Sequence, residues 1–194
     1  MAELSDFITS KVRIKILELF FANVTEMYHV RGIVREIKEE INAVRRELKR
    51  LENAGIVRKE SRGNRVYYWA RTDYPLYGDL LSMVSKRTGL GNEIISNKSK
   101  LGRLNYVMFS GRFARYKEPA KEEEVDVLVV GEINLSELAT LIRVEESKRG
   151  REINYTVMSR EELEFRKKRR DPFLLEILSN SRIMVWGDEE SLVS

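Results

Sequence analysis

The 194-residue chain is 42% hydrophobic and 34% charged, with 35 basic residues against 31 acidic ones, no cysteine and a single histidine. It is long enough to bury one large core or two small ones; the missing thiols exclude disulfides, zinc fingers, iron–sulfur clusters and cysteine nucleophiles, and one histidine excludes a histidine-rich metal centre, so carboxylates are the ligands left for a metal. No apolar run reaches the ~18 to 20 residues of a membrane span and the amino terminus has no basic-then-apolar leader, which predicts a cytoplasmic protein, while the absence of glutamine and the wealth of possible ion pairs suit a thermophile.

A net charge of +4 is small, so its placement matters more than its size. From Ser5, a candidate N-cap, apolar residues recur at Phe7, Ile8, Val12, Ile14, Ile16, Leu17, Phe20 and Phe21, which predicts a first helix with one broad buried face. A second amphipathic segment spans Val30 to Ile37, with His29 at its start read as a capping or packing residue. A third repeats Ile41, Val44, Leu48 and Leu51 and ends near Ala54, where Gly55 is placed as a C-cap. The runs "IVRKE" and "RVYYWA" then flank "SRGN", whose Gly63 and Asn64 tolerate the positive φ of a tight hairpin. Between residues 41 and 65 stand eight basic side chains against three acidic ones.

This order of three helices and a hairpin, with Arg45, Arg46, Lys49 and Arg50 on the third helix and Arg58, Lys59, Arg62 and Arg65 on the hairpin, resembles the winged helix-turn-helix of ArsR-like prokaryotic transcription regulators over about residues 5–70. A helix entering the major groove needs one apolar face against its own domain and an opposite face that reaches bases and phosphates. Asn42, Arg45 and Arg46, in the half of the helix expected to lie deepest, are assigned to base edges, and Lys49, Arg62 and Arg65 to phosphates, with Arg50 beside them. The competing reading is a solvated charged face in which Glu39, Glu40, Glu47 and Glu52 neutralise these cations.

After Ala70, Pro75 and the spacing of Leu76, Leu80, Leu81 and Val84, closing on Gly89 and Gly91, predict a connecting helix within a linker over residues 72–99; Tyr74 and Tyr77 suit packing or a dimer contact. Downstream, predicted strands at Val107–Phe109, Val125–Val130, Ile153–Val157 and Ile183–Trp186 alternate with predicted helices at Leu135–Val144, Glu161–Lys168 and Pro172–Leu178. The second of these strands is nearly all apolar, as a buried central strand requires, and Asp171–Pro172 is a strong helix start.

Phe109, Ser110, Gly111 and Arg112, followed by Glu124, Val125, Asp126 and Val127, resemble the signature of the nucleotidyltransferase superfamily related to polymerase beta, and with "DVLVVGE" and "INYTVMSREELEF" the resemblance extends over about residues 100–187. The chain resembles especially archaeal regulators that fuse a winged helix to such a domain. It implies Glu124 and Asp126 as a carboxylate pair on one strand face holding Mg2+ against a nucleotide, with Gly111, Arg112 and Arg115 toward phosphate. Three departures weigh against catalysis: Arg112 stands where active members place glycine or serine, Glu124 extends its carboxylate by roughly 1.5 Å relative to an aspartate, and Asn154 stands where a third acid is expected.

The expected architecture is α+β and α/β: a winged helix-turn-helix over residues 1–71, the linker over 72–99, and a nucleotidyltransferase-like domain with a mixed sheet flanked by helices over 100–194. The expected partners are double-stranded DNA, a second copy of the chain in a homodimer, and a nucleotide with Mg2+. A catalytic nucleotidyltransferase, in which Glu124 and Asp126 act and the winged helix docks the substrate, is the alternative.

Overall fold

In the computed structural model, which describes residues 8–194, the first helix, α1 (Lys11–Phe21), starts later than its apolar spacing predicts. Residues 8–10 are not helical, and the Ser10 hydroxyl caps the helix by accepting from the Arg13 N–H at 3.3 Å; Ser5 and Phe7 lie outside the described residues. Ile16, Leu17, Phe20 and Phe21 form the buried face.

A short strand, β1 (Tyr28–His29), runs into α2 (Val30–Ile37), where His29 Nδ1 accepts the Gly32 N–H at 2.9 Å. Lys38, at φ +53°, turns the chain into α3 (Ile41–Asn53), and the Glu40 carboxylate caps that helix through the N–H groups of Asn42 and Ala43, both at 2.8 Å. α3 ends as a helix ends on glycine: Gly55 sits at φ +71°, its N–H donates to Glu52 O, and Ile56 N–H donates to Leu51 O. Strands β2 (Val57–Arg62) and β3 (Arg65–Ala70) form the predicted antiparallel hairpin, with Arg62 opposite Arg65. Only Gly63 of the two loop residues takes a positive φ, +56°, so Asn64 is not there for that reason. The sheet order is β1-β3-β2.

Val44, Leu48 and Leu51 of α3 pack with Ile33 and Ile37 of α2 and the α1 face into the core of this unit, which extends to Val84. Arg13 Nε donates to the buried Glu47 at 2.8 Å and so ties α1 to α3. The next helix, α4 (Tyr77–Arg87), contradicts one predicted position: Leu76 precedes it and points outward at 63% exposure, while Tyr77 is buried and packs on Phe21 with ring centroids 5.7 Å apart. Tyr74 packs edge-on against Tyr77, and burial pushes its phenol up to about 12.

The second compact unit runs from Ser85 to Ser194. The stretch read as linker is helical here, as α5 (Gly89–Ser96) and α6 (Lys98–Leu101), because Leu90, Ile94, Ile95 and Leu101 bury against the unit's own core. Gly91 is required where α5 begins, since a Cβ on it would stand 1.9 Å from the Ser85 carbonyl oxygen. Strand β4 (Gly102–Ser110) is followed by the one-turn helix α7 (Gly111–Ala114), β5 (Val127–Ile133), α8 (Leu135–Arg149), β6 (Tyr155–Met158), α9 (Arg160–Lys168), α10 (Pro172–Ser179), β7 (Arg182–Trp186) and α11 (Glu189–Val193).

The four strands form a mixed sheet in the order β6-β5-β4-β7, antiparallel except for the parallel pair β5/β6. Val127, Leu128, Val129 and Val130 are fully buried, as their uniform hydrophobicity predicts for a central strand. Leu128 and Val130 pack with Leu163, Leu174 and Ile177 of α9 and α10. The α10 start is also as predicted: Asp171 accepts the Leu174 N–H at 3.0 Å ahead of Pro172.

Candidate nucleic-acid interface and cleft

On the first unit, α3 buries one face and offers the other to solvent. Asn42, Arg45, Arg46, Lys49 and Arg50 are all exposed, as are Arg62 and Arg65 at the hairpin tip. The six cations among them differ in how much of their charge is already spoken for. Arg50 Nη1 pairs with Glu47 at 2.8 Å, and Arg62 Nη2 pairs with Glu60 at 3.0 Å while its guanidinium lies 5.8 Å from the Tyr67 ring. Among the described residues, no carboxylate lies within ion-pair distance of Arg45, Arg46, Lys49 or Arg65.

The acids named as their neutralising partners are engaged elsewhere. Glu39 pairs with Lys15, Glu40 caps α3, and Glu52 pairs with Lys59 at 2.9 Å. Glu47 is buried, not solvated: burial opposes its charge, but hydrogen bonds from Arg13 and Ser10 outweigh burial and hold its carboxyl below the ordinary range. The Glu40 carboxyl is likewise low, held by the N–H groups of Asn42 and then Ala43. The α3 face therefore carries cations with open coordination, aimed by a helix whose opposite side is fixed in the core.

On the second unit, Ser110 caps α7 by accepting the Phe113 N–H at 3.1 Å, and Gly111 N–H donates to Ser181 O at 2.6 Å. A cleft of about 520 Å3 opens here, lined among others by Gly111, Arg112, Lys121, Glu124, Asn180 and Ser181. Gly111 is tightly placed, because a Cβ would stand 2.1 Å from Ser181 Oγ and 2.5 Å from Arg115 Nη1.

Asp126 and Glu124 precede β5 and do not lie within it. Asp126 is fully buried. Arg151 holds both of its oxygens, Nη1 to Oδ2 at 2.8 Å and Nη2 to Oδ1 at 3.0 Å, and the Asn154 N–H adds a third donor at 3.2 Å. The bond to Asp126 outweighs partial burial and raises the Arg151 pKa further. Glu124 Oε2 accepts the Ala120 N–H and stands 3.8 Å from Arg112 Nε. Asn154 Nδ2 donates to the carbonyls of Glu122 and Glu124 at 2.6 and 3.3 Å.

The two carboxylates are thus each met by an arginine. This donor set does not fit a divalent cation: the Arg151 guanidinium stands on both oxygens of the buried Asp126 and already balances its charge, and Arg112 stands beside Glu124. Among the described residues, no group of three or more histidines, cysteines, aspartates and glutamates gathers as a metal site. Arg112 also donates to Glu118 O at 2.7 Å, and Arg115 to Gly111 O at 2.7 Å, so both residues assigned to phosphate close the turn around them.

Arg151 is the residue that sequence reading missed. Its signal is faint: a basic side chain three residues before Asn154, on the approach to the strand that pairs with β5, and nothing local links it to Asp126, 25 positions earlier.

No family model matches the chain, and no curated protein matches it. Among solved structures it is similar to human N-acetylserotonin methyltransferase in complex with SAM, at 13% identity and a TM-score of 0.31, over 62% of this chain and 37% of that one. At that score the likeness carries no argument about fold or activity. No helix of the described residues is long and apolar enough to cross a membrane.

Proposed function

We propose that the chain is a sequence-specific DNA-binding transcription regulator whose first unit is a winged helix-turn-helix. The observation that carries this reading is the exposed trio Arg45, Arg46 and Lys49, which no carboxylate of the described residues meets at ion-pair distance, on a helix whose other face, Val44, Leu48 and Leu51, is locked into the core. An α-helix fits the major groove, arginines pair with guanine edges, and neutralised phosphates supply the affinity. Arg65 at the hairpin tip adds a phosphate contact from a second element. Two-fold sites would be read by a homodimer, since one such unit covers only a short half-site.

The second unit is read as a nucleotidyltransferase-like domain that acts in ligand sensing or assembly and not in catalysis. The Arg151 grip on Asp126 supports this, because it occupies the carboxylate that metal-dependent transfer would need. A nucleotide carrying a tagged α-phosphate, offered in Mg2+ or Mn2+, should leave the protein unlabelled; a label lost in Asp126→Ala would establish an enzyme instead.

The deciding experiment mixes the protein with fragmented genomic DNA at about 0.15 M salt, where non-specific binding is weak, and sequences what remains bound. Enrichment of a few fragments sharing an inverted repeat supports the proposal. Uniform recovery, or none, overturns it.

A further inference from the structure

The end of α9 carries a second surface built for a polyanion. The nine residues "FRKKRRDPF", Phe165 to Phe173, contain five basic side chains and one acidic one. Asp171 is committed to capping α10 and to Arg166 Nη1 at 3.2 Å, and Lys167 is drawn toward Glu164 at 3.8 Å and Ser191 O at 3.2 Å. Lys168, Arg169 and Arg170 are exposed, and among the described residues no carboxylate reaches them.

Two phenylalanines flank these cations in the open, Phe165 at 57% and Phe173 at 41% exposure. Each has a guanidinium over its ring, Arg169 at 5.1 Å from Phe165 and Arg166 at 5.8 Å from Phe173. Planar cations layered on aromatic rings offer both stacking faces and phosphate donors.

α9 ends with Arg170 N–H on Lys167 O and Asp171 N–H on Arg166 O, which places Arg170 in the left-handed position where glycine is favoured, at φ +51°. An arginine there is strained relative to glycine, as Lys38 is at the end of α2.

We infer that the α9–α10 corner binds single-stranded nucleic acid, with Lys168, Arg169 and Arg170 on phosphates and Phe165 and Phe173 stacking on unpaired bases. Duplex DNA hides its base faces, so exposed rings beside free cations suit a single strand. A lipid surface is less well matched, because α9 has only nine residues and its outer face alternates charge with the ring, without the apolar stripe of an interfacial helix. The inference does not rest on the α3 reading, and the test separates the two.

Fluorescence anisotropy of the full chain would compare a labelled mixed-sequence single strand with the duplex of the same sequence. Lys168→Ala with Arg169→Ala, and separately Phe165→Ala with Phe173→Ala, should each weaken single-strand binding about tenfold or more and leave duplex binding unchanged. Arg45→Ala with Arg46→Ala should do the reverse. Arg170→Gly should raise the melting temperature while lowering single-strand affinity, opposite signs that a purely structural arginine would not give. Unchanged single-strand binding in the corner variants, or single-strand loss only in the α3 variant, would overturn the inference.

Discussion

Arg151 grips Asp126 through two hydrogen bonds of 2.8 and 3.0 Å, and Asp126 has no exposure to water at all. Removing the guanidinium leaves a buried charge with one remaining N–H donor. Arg151→Ala should therefore destabilise the second unit by about 3 kcal/mol, read by chemical denaturation. Asp126→Ala in the same chain should recover part of that loss, because the two side chains act as a pair. A purely additive double variant would refute the coupling.

The exposed α3 cations and the hairpin cations should divide by role. Arg45→Ala and Arg46→Ala are expected to cost about 1 to 3 kcal/mol on a preferred site and less on random duplex. Arg65→Ala should weaken both alike and by more than Arg62→Ala, since Arg62 is already shared between Glu60 and the Tyr67 ring. Titrations of both duplexes at one salt concentration check this, and equal losses on both DNAs for all four variants would remove α3 as the reader.

Gly111 faces Ser181 across a gap with no room for a methyl group. Gly111→Ala should cost about 1 to 3 kcal/mol, and Ser181→Gly should restore much of it by clearing both the Oγ and the Cβ from the space. Melting curves of the single and double variants decide this. Failure of the rescue would mean that the cost lies in the remaining contact, the Arg115 guanidinium 2.5 Å from the added methyl group.

Acid should loosen the protein through carboxylates held in their charged form. Glu47 is kept low by Arg13 and Ser10 against its burial, Glu40 by the N–H groups of Asn42 and Ala43, Asp171 by Leu174 N–H, and Asp188 by Ser191 N–H. Their folded pKa values lie below the unfolded ones, so the stability they contribute is present above the ordinary carboxylate range and is lost as pH falls through the lowered values. The melting temperature should hold from pH 7 to about 5 and decline toward about 2.5. In Glu47→Gln the acid limb should be shallower, from a lower starting stability.

Much of this was legible in the chain because it is local. The apolar spacing of Val44, Leu48 and Leu51, the Gly55 stop, the Asp171–Pro172 start and the all-apolar run after Val127 each carry their structure within a few residues. The misreadings have a common cause in long-range contact. Leu76 fits a helical spacing yet faces solvent because Tyr77 takes the place against Phe21. Glu47 looks like surface charge until Arg13, 34 positions away, is brought beside it. Residues 89–99 read as linker because Gly89 and Gly91 look like the close of the preceding helix, and only the second unit's core makes this stretch helical. Arg151 lay beyond reach for the same reason.

Strand β2 is an outer strand of its sheet, bonded on one side only, and Arg58, Lys59, Glu60 and Arg62 all stand in solvent along it. A bare edge of this kind invites another chain to add itself as a further strand, and a row of charges makes that association unfavourable. If the hairpin meets DNA as proposed, its cations have two effects that evolution or engineering must change together, because stripping them to weaken that contact also removes the guard against aggregation.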